Sequence, residues 1–249
     1  QIPLHSQYLF NSFLLNPAIC GTTEENRFFI NGRYHMWAWK DGNSYNNQYA
    51  ISQGRPGHNV SPFTGTISYY KAFHDRMSYG FNFIYDEINP ITTINFEPTF
   101  AHRSKLSNNL YLSLGLSVPI YHTSFNNGQV DPLDMSDEIL NYDLGLVDEI
   151  ETGISPSANF GLYLFNNRFD FSFSVKNIWQ SEIPIPTVFQ GDAMADTALN
   201  KNIRHYFLHS SYDLQFDWAS SWAIVPSILL KTTELTKTQV DLNLKLIYM

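Results

Sequence analysis

Eight carboxylates stand between Asp131 and Glu151: Asp131, Asp134, Asp137, Glu138, Asp143, Asp148, Glu149 and Glu151. No lysine or arginine occurs from Leu106 to Asn167, so these eight match the whole formal net charge of −8. Acids at this density invite Ca²⁺, which takes several oxygen ligands. The spacing is not that of an EF-hand, and no glycine stands at the turn position. The three-residue steps Asp131, Asp134, Asp137 suit one turn of helix instead. A solvated anionic loop and a patch for a basic protein surface are the competing readings. The expectation is no cofactor; Ca²⁺ at Asp131, Asp134, Asp137 and Glu138 is the weakest alternative.

The remaining chemistry-bearing residues do not assemble a reaction. His205 and His209 are four apart, which suits zinc on a helix. On a strand that spacing separates them by about 13 Å, too far to share one ion. His74, Asp75 and Arg76 resemble a proton relay but fall between two apolar runs, where a turn is expected. There is no nucleophile elbow, phosphate-binding glycine loop or zinc-protease helix motif. Any acid-rich loop offers glycosidase-like pairs, and no spacing singles one out. The chain is therefore not expected to be an enzyme. Cys20 is the single cysteine; no internal disulfide can form, and it is read as a buried apolar filler.

The elements that must position these residues alternate with period two. Leu110, Leu112, Leu114, Leu116 and Val118 interleave with Tyr111, Ser113, Gly115 and Ser117. Phe169, Phe171, Phe173 and Val175 interleave with Asp170, Ser172 and Ser174. Tyr206, Leu208, Tyr212 and Leu214, then Leu242, Leu244, Leu246 and Tyr248, repeat the pattern. Each set occupies one face of a strand. One face is apolar and aromatic, the other small or polar, as in a transmembrane β-barrel. Aromatic residues make up 16% of the chain and charged residues only 15%, against about a quarter in soluble domains. The mean hydropathy is still −0.23, because neutral polar residues replace the charge. A secreted β-sandwich that binds glycan also alternates and is one rival; an outer-membrane barrel that transports a small solute is another.

No segment is long and apolar enough for a transmembrane helix. The chain opens at Gln1, and a processed N-terminus, with an export signal removed, is the economical reading. A single domain, 1–249, is expected. Residues 1–26 form an irregular plug or lining, with Phe10, Phe13, Leu14 and Leu15 packed inside or at the rim and Asn11 and Asn16 bonding backbone. Strands are expected at 27–39, 44–52, 62–73, 77–88, 90–102, 108–121, 157–165, 168–179, 202–216, 221–232 and 238–249. A two-residue turn at Asn166 and Asn167 sets Leu164 opposite Phe169, Leu162 opposite Phe171 and Phe160 opposite Phe173. Residues 122–156 and 180–201 form long loops. Trp37, Trp39, Trp179, Trp218 and Trp222 fall near strand ends, as interface girdles require. Outside the acidic loop the charge is balanced, which argues against nucleic acid as partner.

Gln7, Tyr8, Leu9, Phe10 and Asn11, then Leu15, Asn16, Pro17, Ala18 and Gly21, resemble the N-terminal signature of the PorP/SprF family. These are outer-membrane proteins of the type IX secretion and gliding machinery of Bacteroidetes. Arg33 through Trp37 with Asp41 and Gly42 resembles the family's first strand and turn. Gly161 to Leu164 with Arg168 to Val175 resembles its central hairpin. His205 to Leu208, Pro226, Ser227, Leu229 to Lys231 and Asp241 to Asn243 resemble the late strands. The family continues beyond the strand matched by 238–249, so the resemblance implies a shortened chain and a barrel of about 12–14 strands when complete. Around Lys40 the sequence departs from the pattern. The resemblance implies a non-enzymatic protein of the outer membrane, in contact with its lipid. Such a protein binds the C-terminal domain of a secreted adhesin and anchors it at the cell surface, or joins the periplasmic ring lipoproteins of the machine. The loops 122–156 and 180–201 are the expected contact, through the eight acids and aromatic anchors such as Phe125, Tyr142 and Phe189.

Overall fold

The computed structural model describes residues 10–22, 25–34, 62–88, 91–126, 150–183, 201–215 and 222–248. Among the described residues, thirteen strands form one antiparallel sheet. They are β1 (Arg27–Tyr34), β2 (Phe63–His74), β3 (Met77–Ile88), β4 (Ile91–Ser107), β5 (Leu110–Ser117), β6 (Ile120–Asn126) and β7 (Ile150–Pro156). The rest are β8 (Asn159–Phe165), β9 (Phe169–Lys176), β10 (His205–Tyr212), β11 (Leu214–Gln215), β12 (Trp222–Thr233) and β13 (Gln239–Tyr248). No described helix is long and apolar enough to cross a membrane.

Three strands are continuations of their predecessors. Val118 and Pro119 separate β5 from β6; proline has no N–H for a ladder, and Val118 N donates instead to Pro98 O at 3.1 Å. The long β4 pairs with β5 over Thr99–Ser107 and with β6 over Ile91–Phe96. Likewise β5 pairs with β8, and β6 with β7. Joining β5 to β6, β7 to β8 and β10 to β11 leaves ten antiparallel spans among the described residues. The edges are β1 and β13, each with one partner there. The expected strand at 44–52 lies outside the described residues; β1 pairs directly with β2 from Arg27↔Tyr70 to Tyr34↔Phe63.

Polarity is inverted relative to a soluble fold. Phe83, Phe96, Phe100, Leu114, Leu116, Ile120, Leu242, Leu244 and Leu246 are exposed. Ser68, Asn82, Asn95, Glu97, Ser113, Ser117, Asn159, Ser172, Ser174 and Lys176 are buried on the opposite face. Hydrocarbon outside and polar packing inside give this distribution. All-β and antiparallel throughout, the fold is that of a transmembrane barrel wall.

The two ends differ. One is closed by tight turns, at Asp75 and Arg76, at Asn108 and Asn109, and at Asn166–Arg168. Exposed aromatics collect there: Phe73, Tyr79, Tyr212, Trp222 and Tyr248. The Trp222 and Tyr248 rings pack edge to face at 5.0 Å. This is a girdle of the expected kind, and of the two described tryptophans Trp222 belongs to it. Trp179, also exposed, sits at the opposite end, and Trp37, Trp39 and Trp218 lie outside the described residues.

Two local expectations are corrected. The turn after β8 is centred one residue later, on Asn167 and Arg168, so the register is Leu164↔Phe171, Leu162↔Phe173 and Phe160↔Val175. The cause is Asn166, whose Oδ1 accepts from Arg168 N and Phe169 N at 2.7 Å each. It acts as the first corner of the turn rather than its centre. A shift of two keeps every side chain on its face. The acidic excursion is also shorter than 122–156, because β6 and β7 zip from Ile120↔Pro156 to Asn126↔Ile150. Only 127–149 lies outside the described residues between them.

Leu116 on the outer face supplies a test of this orientation. Leu116→Arg should lower unfolding stability in lipid vesicles by up to about 2–4 kcal/mol, the cost of arginine facing mid-bilayer. Leu116→Phe should be close to neutral in the same guanidinium titration.

Candidate functional site

The interior is filled by residues from the start of the chain. Two 3₁₀ turns, Ser12–Leu14 and Pro17–Gly21, lie against the inner face of the sheet. Their sequence explains the shape. Asn16 caps the second turn, accepting from Ala18 N through Oδ1 at 2.8 Å, and Pro17 occupies the first position, where no N–H is needed. The Asn16 Nδ2 group, fully buried, donates to Leu162 O at 2.9 Å, Ser172 Oγ at 2.7 Å and Phe173 O at 3.3 Å. Asn11 Nδ2 donates to Ser68 Oγ at 2.8 Å. Ser113 Oγ donates to Ala18 O at 2.6 Å and Ser174 Oγ to Leu15 O at 2.7 Å. Asn16 therefore bonds backbone as expected, whereas Asn11 bonds a strand hydroxyl.

Glycines make the seat. Gly115 and Gly161 face each other across β5 and β8. A Cβ on Gly115 would overlap Ala18 N and lie 2.6 Å from Ala18 Cα. One on Gly161 would overlap Asn16 Oδ1 and lie 2.9 Å from Asn16 Cγ. Glycine normally weakens a strand; here it allows another backbone to approach. Phe13, Leu14, Leu15, Ile19 and Cys20 are buried, with Phe13 edge-on to Tyr70 at 5.0 Å. Burying each large apolar side chain contributes about 1.5–3 kcal/mol, more than the roughly 1 kcal/mol net of each hydrogen bond. Apolar burial holds the plug, and the hydrogen bonds fix its position. Phe10 does not join it, at 74% exposed: the buried run begins only at Asn11, which hydrogen-bonds Ser68. Gln7 and Tyr8 lie outside the described residues. Burial pushes the Cys20 thiol up to about 12.

A second interior cluster was not legible in the sequence. Glu97 on β4 and Lys176 on β9 form an ion pair at 3.3 Å, with side chains 1% and 3% exposed. Glu97 Oε1 also accepts from Ser117 Oγ at 2.6 Å and Asn159 Nδ2 at 2.8 Å. Asn159 Oδ1 accepts from Asn177 N at 2.9 Å. Asn177 adopts a left-handed conformation, φ 57°, which asparagine tolerates, and its Oδ1 accepts from Tyr121 at 2.8 Å. Strands β4, β5, β6, β8 and β9 are thus tied through one saturated network.

The long connections emerge at the end opposite the tight turns. There β1 leads to β2, β6 to β7, and β9 to β10. Asp131, Asp134, Asp137, Glu138, Tyr142, Asp143, Asp148, Glu149 and Phe189 lie outside the described residues. Phe125 and Glu151 are register partners on β6 and β7, so they mark the base of the acidic connection rather than its middle. His209 faces the interior, its Nδ1 3.2 Å from Asp170 Oδ1. His205 is a full four positions away on the same strand, opposite Thr233 and Lys176.

Compared with known protein families, residues 1–249 match the family described as type IX secretion system membrane protein PorP/SprF. No curated protein matches the chain.

Labelling and unfolding measurements check the interior. Maleimide should not label Cys20 in the folded protein and should label it stoichiometrically in denaturant. Gly115→Ala should unseat the plug and make Cys20 reactive without denaturant. Glu97→Gln leaves the Lys176 ammonium buried without its partner and should cost about 3–5 kcal/mol. The double variant Glu97→Gln with Lys176→Met should be more stable than Glu97→Gln alone, measured by denaturant unfolding in vesicles.

Proposed function

We propose, from the premise that this chain belongs to the PorP/SprF family of type IX secretion system membrane proteins, that it is a non-enzymatic anchor of the outer membrane. It holds the C-terminal domain of a secreted adhesin at the cell surface. The barrel is the fixture and the long connections are the grip. The observation that carries this reading is topological: the connections between β1 and β2, β6 and β7, and β9 and β10 all leave the same end. Three separate stretches of chain thereby reach one partner. The middle one bears seven of the eight acids, with Glu151 at its base on β7, and so favours a basic or polar protein surface. Phe125 at its base, with Tyr142 and Phe189 in the connections, supplies the apolar anchors that dominate such contacts.

The plug supports an anchor over a solute channel. Apolar side chains and a buried asparagine fill space that a wide aqueous lumen needs free. Attachment to the periplasmic ring lipoproteins of the same machine is the alternative within the family.

A mild-detergent pull-down from native outer membranes, read by mass spectrometry, tests this. A stoichiometric secreted adhesin is expected. Replacing 127–149 by a short Gly/Ser turn should leave the barrel folded, because β6 and β7 already pair to their ends, and should abolish capture. Co-purification of ring lipoproteins alone, or unchanged capture by the loop variant, would overturn the assignment.

A further inference from the structure

Among the described strands the outward face of the sheet is almost free of charge, and one corner of it is the exception. Along β2 the even-numbered Thr66, Ser68 and Tyr70 are buried on the inner face, so Lys71 points outward. Every other lysine or arginine within the described strands has the parity of an inward-facing residue, as Arg103 has with Glu97 and Lys231 with Leu229. Lys71 is the register partner of Tyr79, and Tyr79 of Phe100. Both aromatics are exposed, as are Phe73 and Met77 beside them. The Phe73 and Tyr79 rings meet edge to face at 6.4 Å. An ammonium on such a surface does not stay among hydrocarbon: its stem lies along the apolar wall and its head reaches the interface.

Two further donors flank Lys71. His102, outward on β4 by the same alternation, is the register partner of Met77. Arg76, exposed in the turn between β2 and β3, directly precedes Met77. That turn is braced from β4. Arg103 N donates to Arg76 O at 2.7 Å, and Arg103 Nη2 donates to Asp75 O at 2.8 Å. Arg76 is thereby held beside His102. Asp75 is the one acid of the turn and offsets one charge, so Lys71 and Arg76 together leave an excess of one. On β2 to β5 the one described carboxylate that faces outward is Glu87, eight positions along β3 from Tyr79, about 26 Å away.

Positive charge at the edge of an apolar, aromatic wall matches an anion joined to an apolar body. We propose that this corner of β2, β3 and β4 binds an anionic phospholipid. The phosphate meets Lys71 and Arg76, with the His102 ring alongside, and the acyl chains run over Tyr79 and Phe100. The short turns of such barrels face the periplasm, so the lipid belongs to the inner leaflet. The site lies at the opposite end from the long connections and does not depend on the anchoring role.

Native mass spectrometry of the whole chain released from maltoside micelles reads lipid adducts directly. The probes are phosphatidylglycerol, phosphatidylcholine with the same acyl chains, and inorganic phosphate. Phosphatidylglycerol should be retained at least about fivefold over phosphatidylcholine, whose choline offsets the phosphate; one basic residue near a membrane surface is worth about that factor. Lys71→Gln and Arg76→Gln should each lower phosphatidylglycerol retention by a similar factor, while Lys245→Gln, on the inward face, should leave it unchanged. Equal retention of the two lipids overturns the proposal. So does unchanged retention in the Lys71→Gln, Arg76→Gln double variant, or an equal loss in Lys245→Gln. Displacement of the lipid by excess inorganic phosphate would make the corner a free-phosphate site and overturn the assignment to lipid. The lipid pair on the unaltered protein is decisive even where a variant fails to fold.

Discussion

Contact with hydrocarbon on the outer face fixes most of what this fold does inside. A strand has two faces and a period of two, so committing one face to lipid leaves every second residue to the interior. Backbone groups find no partner in the bilayer core, and the ladder must satisfy them. The interior then receives serines, threonines, asparagines and charges, whose hydrogen-bonding capacity has to be met locally. Glu97 with Lys176, Ser117 and Asn159 is one solution. Asn16 with Leu162, Ser172 and Phe173 is another.

The plug resolves a second problem set by the same constraint. A wall whose inner face is small and polar cannot fill its own lumen. Two short turns from the start of the chain supply the missing apolar volume with Phe13, Leu14, Leu15 and Ile19. Entry requires a wall without side chains, which the facing pair Gly115 and Gly161 provides. Between plug and wall the fit is incomplete on the β10 to β13 side, and a cavity floored by Leu15, Phe207 and Leu229 is the result.

Sequence alone carried the fold class, the inverted polarity, most strand positions and the plug. Period-two alternation and turn residues are local signals, and β3 appears at its expected residues. The family signature was legible for the same reason, since Asn16, Pro17 and Gly21 are capping and turn chemistry before they are contacts. Local rules also explain the misses. Asn166 could centre a turn or cap one, and only the hydrogen bonds to Arg168 N and Phe169 N decided. The strand β7 carries Glu151, Thr152 and Gly153 and reads as loop until its pairing with β6 is known.

What required the tertiary structure is whatever depends on residues far apart in the chain. Glu97 and Lys176 are 79 positions apart, and neither announces a partner. Leu15, Phe207 and Leu229 form one buried cluster only because the plug lies against the paired strands β10 and β12. Gly115 and Gly161 look like strand defects until the plug occupies them. The sequence determined which face of each strand meets lipid, because that depends on side-chain type at period two. The tertiary structure decided which polar groups meet one another inside, because that depends on register and curvature, which no local pattern encodes.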